Sequence, residues 1–161
     1  MKNIFDFLAT GFGISLLPAH ILKGRKNTGA GFLGTLLAVP AAYFFMIKMS
    51  AAGQLIFTAA FFFFAVWVVS KTTFEGHDSP KIVIDEIAGY FCAVACLPKT
   101  GFMLLCAFIL FRLFDWLKPL FIKKFDNMKN AWGVVLDDAA AGICANFILQ
   151  LVSVIGFLGK S

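Results

Sequence analysis

Charge is what this sequence has least of. Asp, Glu, Lys and Arg make up only 14% of its 161 residues, whereas 60% are hydrophobic and 21 are phenylalanine. An ordinary soluble domain is about a quarter charged and about half apolar. The surplus apolar surface must therefore face lipid, which excludes an ordinary soluble domain. A mean hydropathy of +0.87 agrees.

Other scarcities narrow the chemistry. The four cysteines, Cys92, Cys96, Cys106 and Cys144, all fall inside apolar runs, where thiols act as small packing groups, so no disulfide is expected. Cys92 and Cys96 would share a helix face, but no histidine or further cysteine stands nearby to complete a zinc set. Cys106 and Arg112 have the Cys-x5-Arg spacing of cysteine phosphatases. The intervening AFILF lacks glycine and cannot form a phosphate cradle. The first 22 residues carry Asp6 within their apolar stretch and lack a small-residue cleavage site, so they are expected to be retained as an interfacial or re-entrant segment. No internal repeat is visible, and 1–161 reads as a single domain.

Five hydrophobic stretches are present: Gly31 to Ile47, Gly53 to Ser70, Ile82 to Leu97, Phe102 to Trp116 and Trp132 to Leu158. A membrane span needs ~20 residues, and several of these are a little shorter. They predict an all-α, multi-pass transmembrane bundle of about five short or tilted helices, with breakers at Gly53, Pro80, Pro98, Gly101 and Pro119. The formal charge of +5 suits a partner such as anionic lipid headgroups and does not call for nucleic acid. Nothing calls for an obligatory protein partner. Threading the spans puts Lys23, Arg25, Lys26, Lys71, Lys81, Lys118, Lys123, Lys124 and Lys129 on one side, against Lys48, Lys99 and Lys160 on the other. The positive-inside rule makes the first side cytoplasmic.

None of the nine carboxylates falls in an expected external loop. Asp85 and Glu86 begin the third span, Asp115 ends the fourth, and Asp137 and Asp138 begin the fifth. Because successive spans alternate in direction, all five reach one membrane depth. Each costs about 2.5 to 3.5 kcal/mol at a helix centre and less near the interface. Arg112, three residues before Asp115, offsets one negative charge. A divalent cation is the simplest partner for the rest, and all-oxygen ligands suit magnesium or manganese. Asp85, Glu86, Asp115, Asp137 and Asp138 are thus the candidate metal ligands, and Asp85, Glu86, Asp115 and Asp138 the candidate catalytic groups. Such sites commonly bind phosphate together with the metal. Arg112 and Lys118 are the nearby cations to hold it, with either water or an Asp attacking.

Weaker signals surround this set. An Asp-Glu or Asp-Asp pair at a helix N-terminus also complements the helix dipole, with no further role required. Glu75 and Asp126 read as solvated loop charges, His20 as an interfacial side chain, and His77 and Asp78 as possible accessories. The glycines of Thr28-Gly29-Ala30-Gly31-Phe32-Leu33-Gly34-Thr35, behind Lys26, suit either a phosphate near backbone amides or close helix packing.

Four ordered blocks carry a resemblance: His77-Asp78 with Ile82-Val83-Ile84-Asp85-Glu86-Ile87-Ala88-Gly89; Phe111-Arg112-Leu113-Phe114-Asp115-Trp116-Leu117-Lys118-Pro119; Phe125-Asp126; and Gly133-Val134-Val135-Leu136-Asp137-Asp138 with Gly142. With these the chain resembles the phosphatidylglycerophosphatase A family over most of its length. The resemblance implies a Mg2+-dependent phosphatase of the bacterial inner membrane that removes the terminal phosphate of phosphatidylglycerophosphate, its membrane phospholipid substrate, at the cytoplasmic side. It also implies phosphate binding at Lys26, Gly31, Gly34, Thr35, Arg112 and Lys118. The family's Pro-Gly-Thr-x-Gly-Ser is here Ala30-Gly31-Phe32-Leu33-Gly34-Thr35, the basic segment Lys23 to Asn27 is longer, and Phe121 stands where a proline is usual. The alternative class is a small cation- or proton-coupled transporter, although its carboxylates more often lie near the bilayer midplane. The spaced Asp-Gly pattern of a CDP-alcohol phosphotransferase is missing.

Overall fold

A computed structural model describes residues 3–17, 29–74 and 79–158. Among these there are helices and no strands: α1 (Ile4–Ala9), α2 (Ala30–Met46), α3 (Ala51–Ser70), α4 (Ile84–Val94), α5 (Gly101–Leu117), α6 (Leu120–Asp126) and α7 (Ala131–Leu158). His20, Lys26, Glu75, His77 and Asp78 lie outside the described residues.

Side-chain caps set several helix starts. Ser50 accepts from the Gly53 amide at 3.2 Å to open α3, and Thr100 accepts from Met103 at 3.3 Å to open α5. Pro119 stands at the N-cap of α6. Two helices, Ala51–Ser70 and Ala131–Ile155, are long and apolar enough to cross a membrane, and Ala30–Met46 is a shorter apolar helix. The five expected spans are therefore met only in part. The largest departure is the third, Ile82 to Leu97, which condenses to the 11 residues of α4, a rise of about 16 Å.

α4 is short because both its ends are claimed by other contacts. Residues 82 and 83 are outside any helix before it, and the Val83 amide is taken by the Ala9 carbonyl at 2.8 Å. At its far end the Lys99 ammonium donates to the Val94 carbonyl at 2.8 Å, the Leu97 carbonyl at 2.7 Å and Gln54 Oε1 at 2.7 Å, fastening that end to α3. A cation there also suits the negative pole of the helix dipole.

α4 forms the axis of the molecule, in contact with α1, α2, α3, α5 and α7. Nine of its 11 residues are buried, Tyr90 and Phe91 among them. Phe91 packs against Phe61 and Phe57 of α3 at ring separations of 4.8 and 5.4 Å. By contrast Phe44, Ile56, Phe102 and Ile155 are exposed on the outer helices, the reverse of a soluble protein's surface. The Tyr90 hydroxyl donates to the Leu104 carbonyl of α5 at 2.8 Å, wholly inside the core. Tyr90→Phe removes this bond while the Leu104 carbonyl keeps its place in the α5 ladder, and should lower unfolding stability by about 1 kcal/mol, measurable by thermal unfolding in detergent.

α4 and α7 meet without intervening side chains. A Cβ on Gly142 would collide with the Gly89 carbonyl, and one on Gly89 would stand 2.7 Å from both the Asp138 carbonyl oxygen and the Phe111 ring. Small residues let helix backbones approach this closely. The acidic residues on the two helices are brought together as a result.

Candidate metal and phosphate site

Asp85 and Glu86 occupy the first turn of α4, where negative charge complements the helix N-terminus. Asp85 Oδ1 also accepts from the Glu86 amide at 3.0 Å. Asp138 faces them from the second turn of α7. Asp85, Glu86 and Asp138 each offer one oxygen to a set in which all three atoms lie within 4.8 Å of one another. Glu86 Oε2 is buried with no hydrogen-bond partner among the described residues.

The remaining two carboxylates of the expected five adjoin this set and are matched to cations. Asp115 Oδ2 stands 2.9 Å from the Arg112 guanidinium, one turn back on α5, as the i,i+3 spacing requires. Its carboxyl also neighbours that of Asp138. Asp137 accepts from Lys118 Nζ at 2.7 Å.

Lys118 departs from expectation. Instead of standing free for phosphate, its ammonium is held between Asp137 and Asp126, so the ends of α5, α6 and α7 are joined. Asp126 is accordingly an ion-pair partner rather than a solvated loop charge. Burial alone depresses the Lys118 ammonium, but the hydrogen bonds to Asp126 and Asp137 outweigh it and hold it above the usual lysine range. The residue caps α5 at φ 39°, a left-handed conformation uncommon outside glycine.

α2 closes the other side. A Cβ on Gly31 would collide with the Glu86 carboxylate and lie 3.4 Å from Arg112 Nη1. On Gly34 it would sit 2.6 Å from Val83 Cβ. Both glycines therefore serve close packing against α4 and the residues preceding it; Gly31 also lies in the first turn of α2 beside Arg112. The buried Thr35 hydroxyl donates to the Gly31 carbonyl at 3.0 Å and stands 3.5 Å from Arg112 Nη1, at the limit of a hydrogen bond. Phe32, where the resemblance calls for a hydroxyl, turns outward and meets Phe108 edge-to-face at 5.3 Å.

An oxygen-ligated divalent cation fits this arrangement. Octahedral ligands at about 2.1 Å stand about 3 Å apart when adjacent and about 4.2 Å when opposite, so oxygens within 4.8 Å of one another would draw inward around a cation. The partnerless Glu86 oxygen gives an independent reason, because a buried carboxylate oxygen without a donor is costly unless a cation faces it. The four cysteines are free, as expected.

One buried acid escaped sequence reasoning. Asp6, which in the sequence argues only that the N-terminal stretch is retained, is wholly buried and accepts from the Thr73 amide at 2.9 Å and the Thr73 hydroxyl at 2.8 Å. An isolated acid within an otherwise apolar segment was the available signal.

The sequence model for phosphatidylglycerophosphatase A matches residues 7–153. A phosphatidylglycerophosphatase A of Haemophilus influenzae is 36% identical over 153 residues, covering 92% of this chain and 88% of the relative. One of Escherichia coli K12 is 30% identical, covering 94% and 85%. A putative phosphatidylinositol-3-phosphatase of Bacteroides thetaiotaomicron is 33% identical, covering 91% of each. No solved structure gives a significant match. With most of its length matched by the family model and by relatives at this level, the chain belongs to the phosphatidylglycerophosphatase A family of phosphatases.

Proposed function

We propose that this protein is a Mg2+-dependent phosphatase that converts phosphatidylglycerophosphate to phosphatidylglycerol at the cytoplasmic side of a bacterial inner membrane, which it crosses several times. The observation that carries the reading is the set formed by Asp85, Glu86 and Asp138, with a partnerless buried oxygen on Glu86 and Arg112 alongside. The exposed Lys123 and Lys124 of α6 lie at the same end of the bundle, as positive-inside placement requires.

Asp85, Glu86 and Asp138 hold the cation, with Asp115 and Asp137 supporting it from the neighbouring turns. A Mg2+ held by these residues would offset their charge and would supply Lewis-acid polarisation of the phosphoryl group. Arg112 supplies donors to the phosphoryl oxygens, where charge grows in the transition state. The first-turn amides of α2, at Gly31, extend that donor surface, with Thr35 orienting Arg112 and Lys26 adding charge. Asp115, at the rim of the set, takes the proton of an attacking water and returns it to the glycerol oxygen that leaves as the P–O bond breaks, so that ester and water give alcohol and inorganic phosphate. Lys118 contributes mainly by holding Asp137 in place.

The test is phosphate release in mixed micelles from phosphatidylglycerophosphate and, separately, from a phosphatidylinositol phosphate, the headgroup class named for the Bacteroides relative. Release should require Mg2+, stop in EDTA, favour phosphatidylglycerophosphate, and persist near the wild-type rate in Cys106→Ser. Folded protein that releases no phosphate in the presence of Mg2+ would overturn the proposal.

A further inference from the structure

We infer that Asp6 is a positioning residue for the acidic set, acting through the N-terminal segment on the chain that leads into α4. The inference rests on the reading of Asp85, Glu86 and Asp138 as cation ligands. α4 begins at Ile84, behind the N-cap Val83, which offers no side-chain hydrogen bond. The lead-in is instead held from outside. The Val83 amide donates to the Ala9 carbonyl at 2.8 Å, and Ser15 Oγ donates to the Lys81 carbonyl at 2.6 Å. Gly11 leaves room for the Val83 side chain, whose Cγ2 would stand 3.0 Å from a Cβ there.

Two of the three residues immediately before Ile84 are thus hydrogen-bonded to a segment roughly 70 residues earlier in the chain. Asp6 fastens that segment in turn. Both of its oxygens engage Thr73, just beyond the end of α3, so α1 ties the exit of α3 to the start of α4. Asn3 Oδ1 caps α1 by accepting from the Asp6 amide at 2.9 Å, and the Thr10 amide donates to the Asp6 carbonyl at 3.1 Å. The backbone of Asp6 is therefore set within α1 while its side chain reaches across to Thr73. Loosening it frees α1, then the Ala9 carbonyl, then the turn that carries Asp85 and Glu86. Supports around metal ligands are typically worth 10- to 100-fold in metal affinity.

Full-length protein in detergent, with Mn2+ standing in for Mg2+ and free Mn2+ read by electron paramagnetic resonance, tests this. Asp6→Ala should weaken Mn2+ binding by roughly tenfold or more and lower kcat while leaving KM nearly unchanged, in protein of wild-type helix content. Asp6→Asn keeps an acceptor for the Thr73 amide and a donor for its hydroxyl, so it should recover most of both. A merely structural role would lower the unfolding temperature without moving Mn2+ affinity, and that result overturns the inference, as does Asp6→Asn behaving like Asp6→Ala. Should Asp6→Ala not fold, Ser15→Ala removes only the bond to Lys81 and must weaken Mn2+ binding; unchanged affinity overturns the inference. If wild type binds no Mn2+, or Asp85→Asn binds it equally well, the cation reading itself has failed and positioning for a cation falls with it. Hydrogen exchange at the Val83 amide then reports separately whether the tether exists, through faster exchange in Asp6→Ala.

Discussion

Asp138→Asn is expected to lower turnover at least about tenfold, equivalent to about 1.4 kcal/mol in barrier, and to remove most of the stabilisation that Mg2+ confers on the wild type. Asn preserves the size of the side chain but withdraws a negative charge from a set whose oxygens lie within 4.8 Å of one another. A cation at hundredfold its Kd stabilises the folded state by about 2.7 kcal/mol. Thermal unfolding with EDTA and with Mg2+ reads that increment directly. The variant should show little of it while unfolding normally in EDTA. Asp85→Asn and Asp115→Asn should each also reduce turnover at least about tenfold, the latter by removing the proton acceptor and the ion pair that holds Arg112. Wild-type turnover and an intact Mg2+ increment in Asp138→Asn would remove this residue from the site.

The second large effect is expected from a residue that touches neither phosphate nor metal. Gly142→Ala places a methyl group against the Gly89 carbonyl, with the Gly89 carbonyl carbon and Cys92 Cβ both at 3.0 Å. These contacts are backbone and Cβ atoms in two packed helices, so no flexible side chain can swing aside. Overpacking of this kind costs about 1 to 3 kcal/mol and occasionally more; the upper end applies here. Because Asp138 is one helical turn from Gly142, separation of α4 from α7 also widens the carboxylate set. Unfolding temperature and phosphate release should fall together. A variant as stable as wild type would mean that the two helices are not in such close contact.

The acidic set was legible because it depends on features that sequence carries directly. Alternating direction brings one end of each hydrophobic stretch to a common depth, and i,i+3 spacing puts Arg112 beside Asp115. The membership of the inner set was not legible. Asp137 and Asp138 are adjacent, but helical rotation turns one toward Lys118 and the other toward Asp85 and Glu86. Nor does a hydropathy run distinguish a span from a buried helix: Ile82 to Leu97 looked like its neighbours. Contacts distant in sequence, from Ala9 at one end and Gln54 at the other, accompany the limits of α4. The pairing of Lys118 with Asp126 likewise depends on how α6 folds back, which composition does not record. The glycines allowed two readings, and their contacts with Glu86 and Val83 favour helix packing at both positions.

Under the multi-pass placement proposed above, the shortness of α4 bears on how the protein would reach its folded state in a bilayer. A helix rising about 16 Å covers only about half of a hydrocarbon core, and it leaves backbone groups at both ends without partners in lipid. With Asp85 and Glu86 in its first turn, it is a poor candidate for independent insertion. It becomes soluble in the membrane only once α2, α3, α5 and α7 surround it. Assembly therefore cannot proceed by docking five preformed spans: the most buried helix, bearing two of the three clustered carboxylates, must enter together with the helices that shelter it.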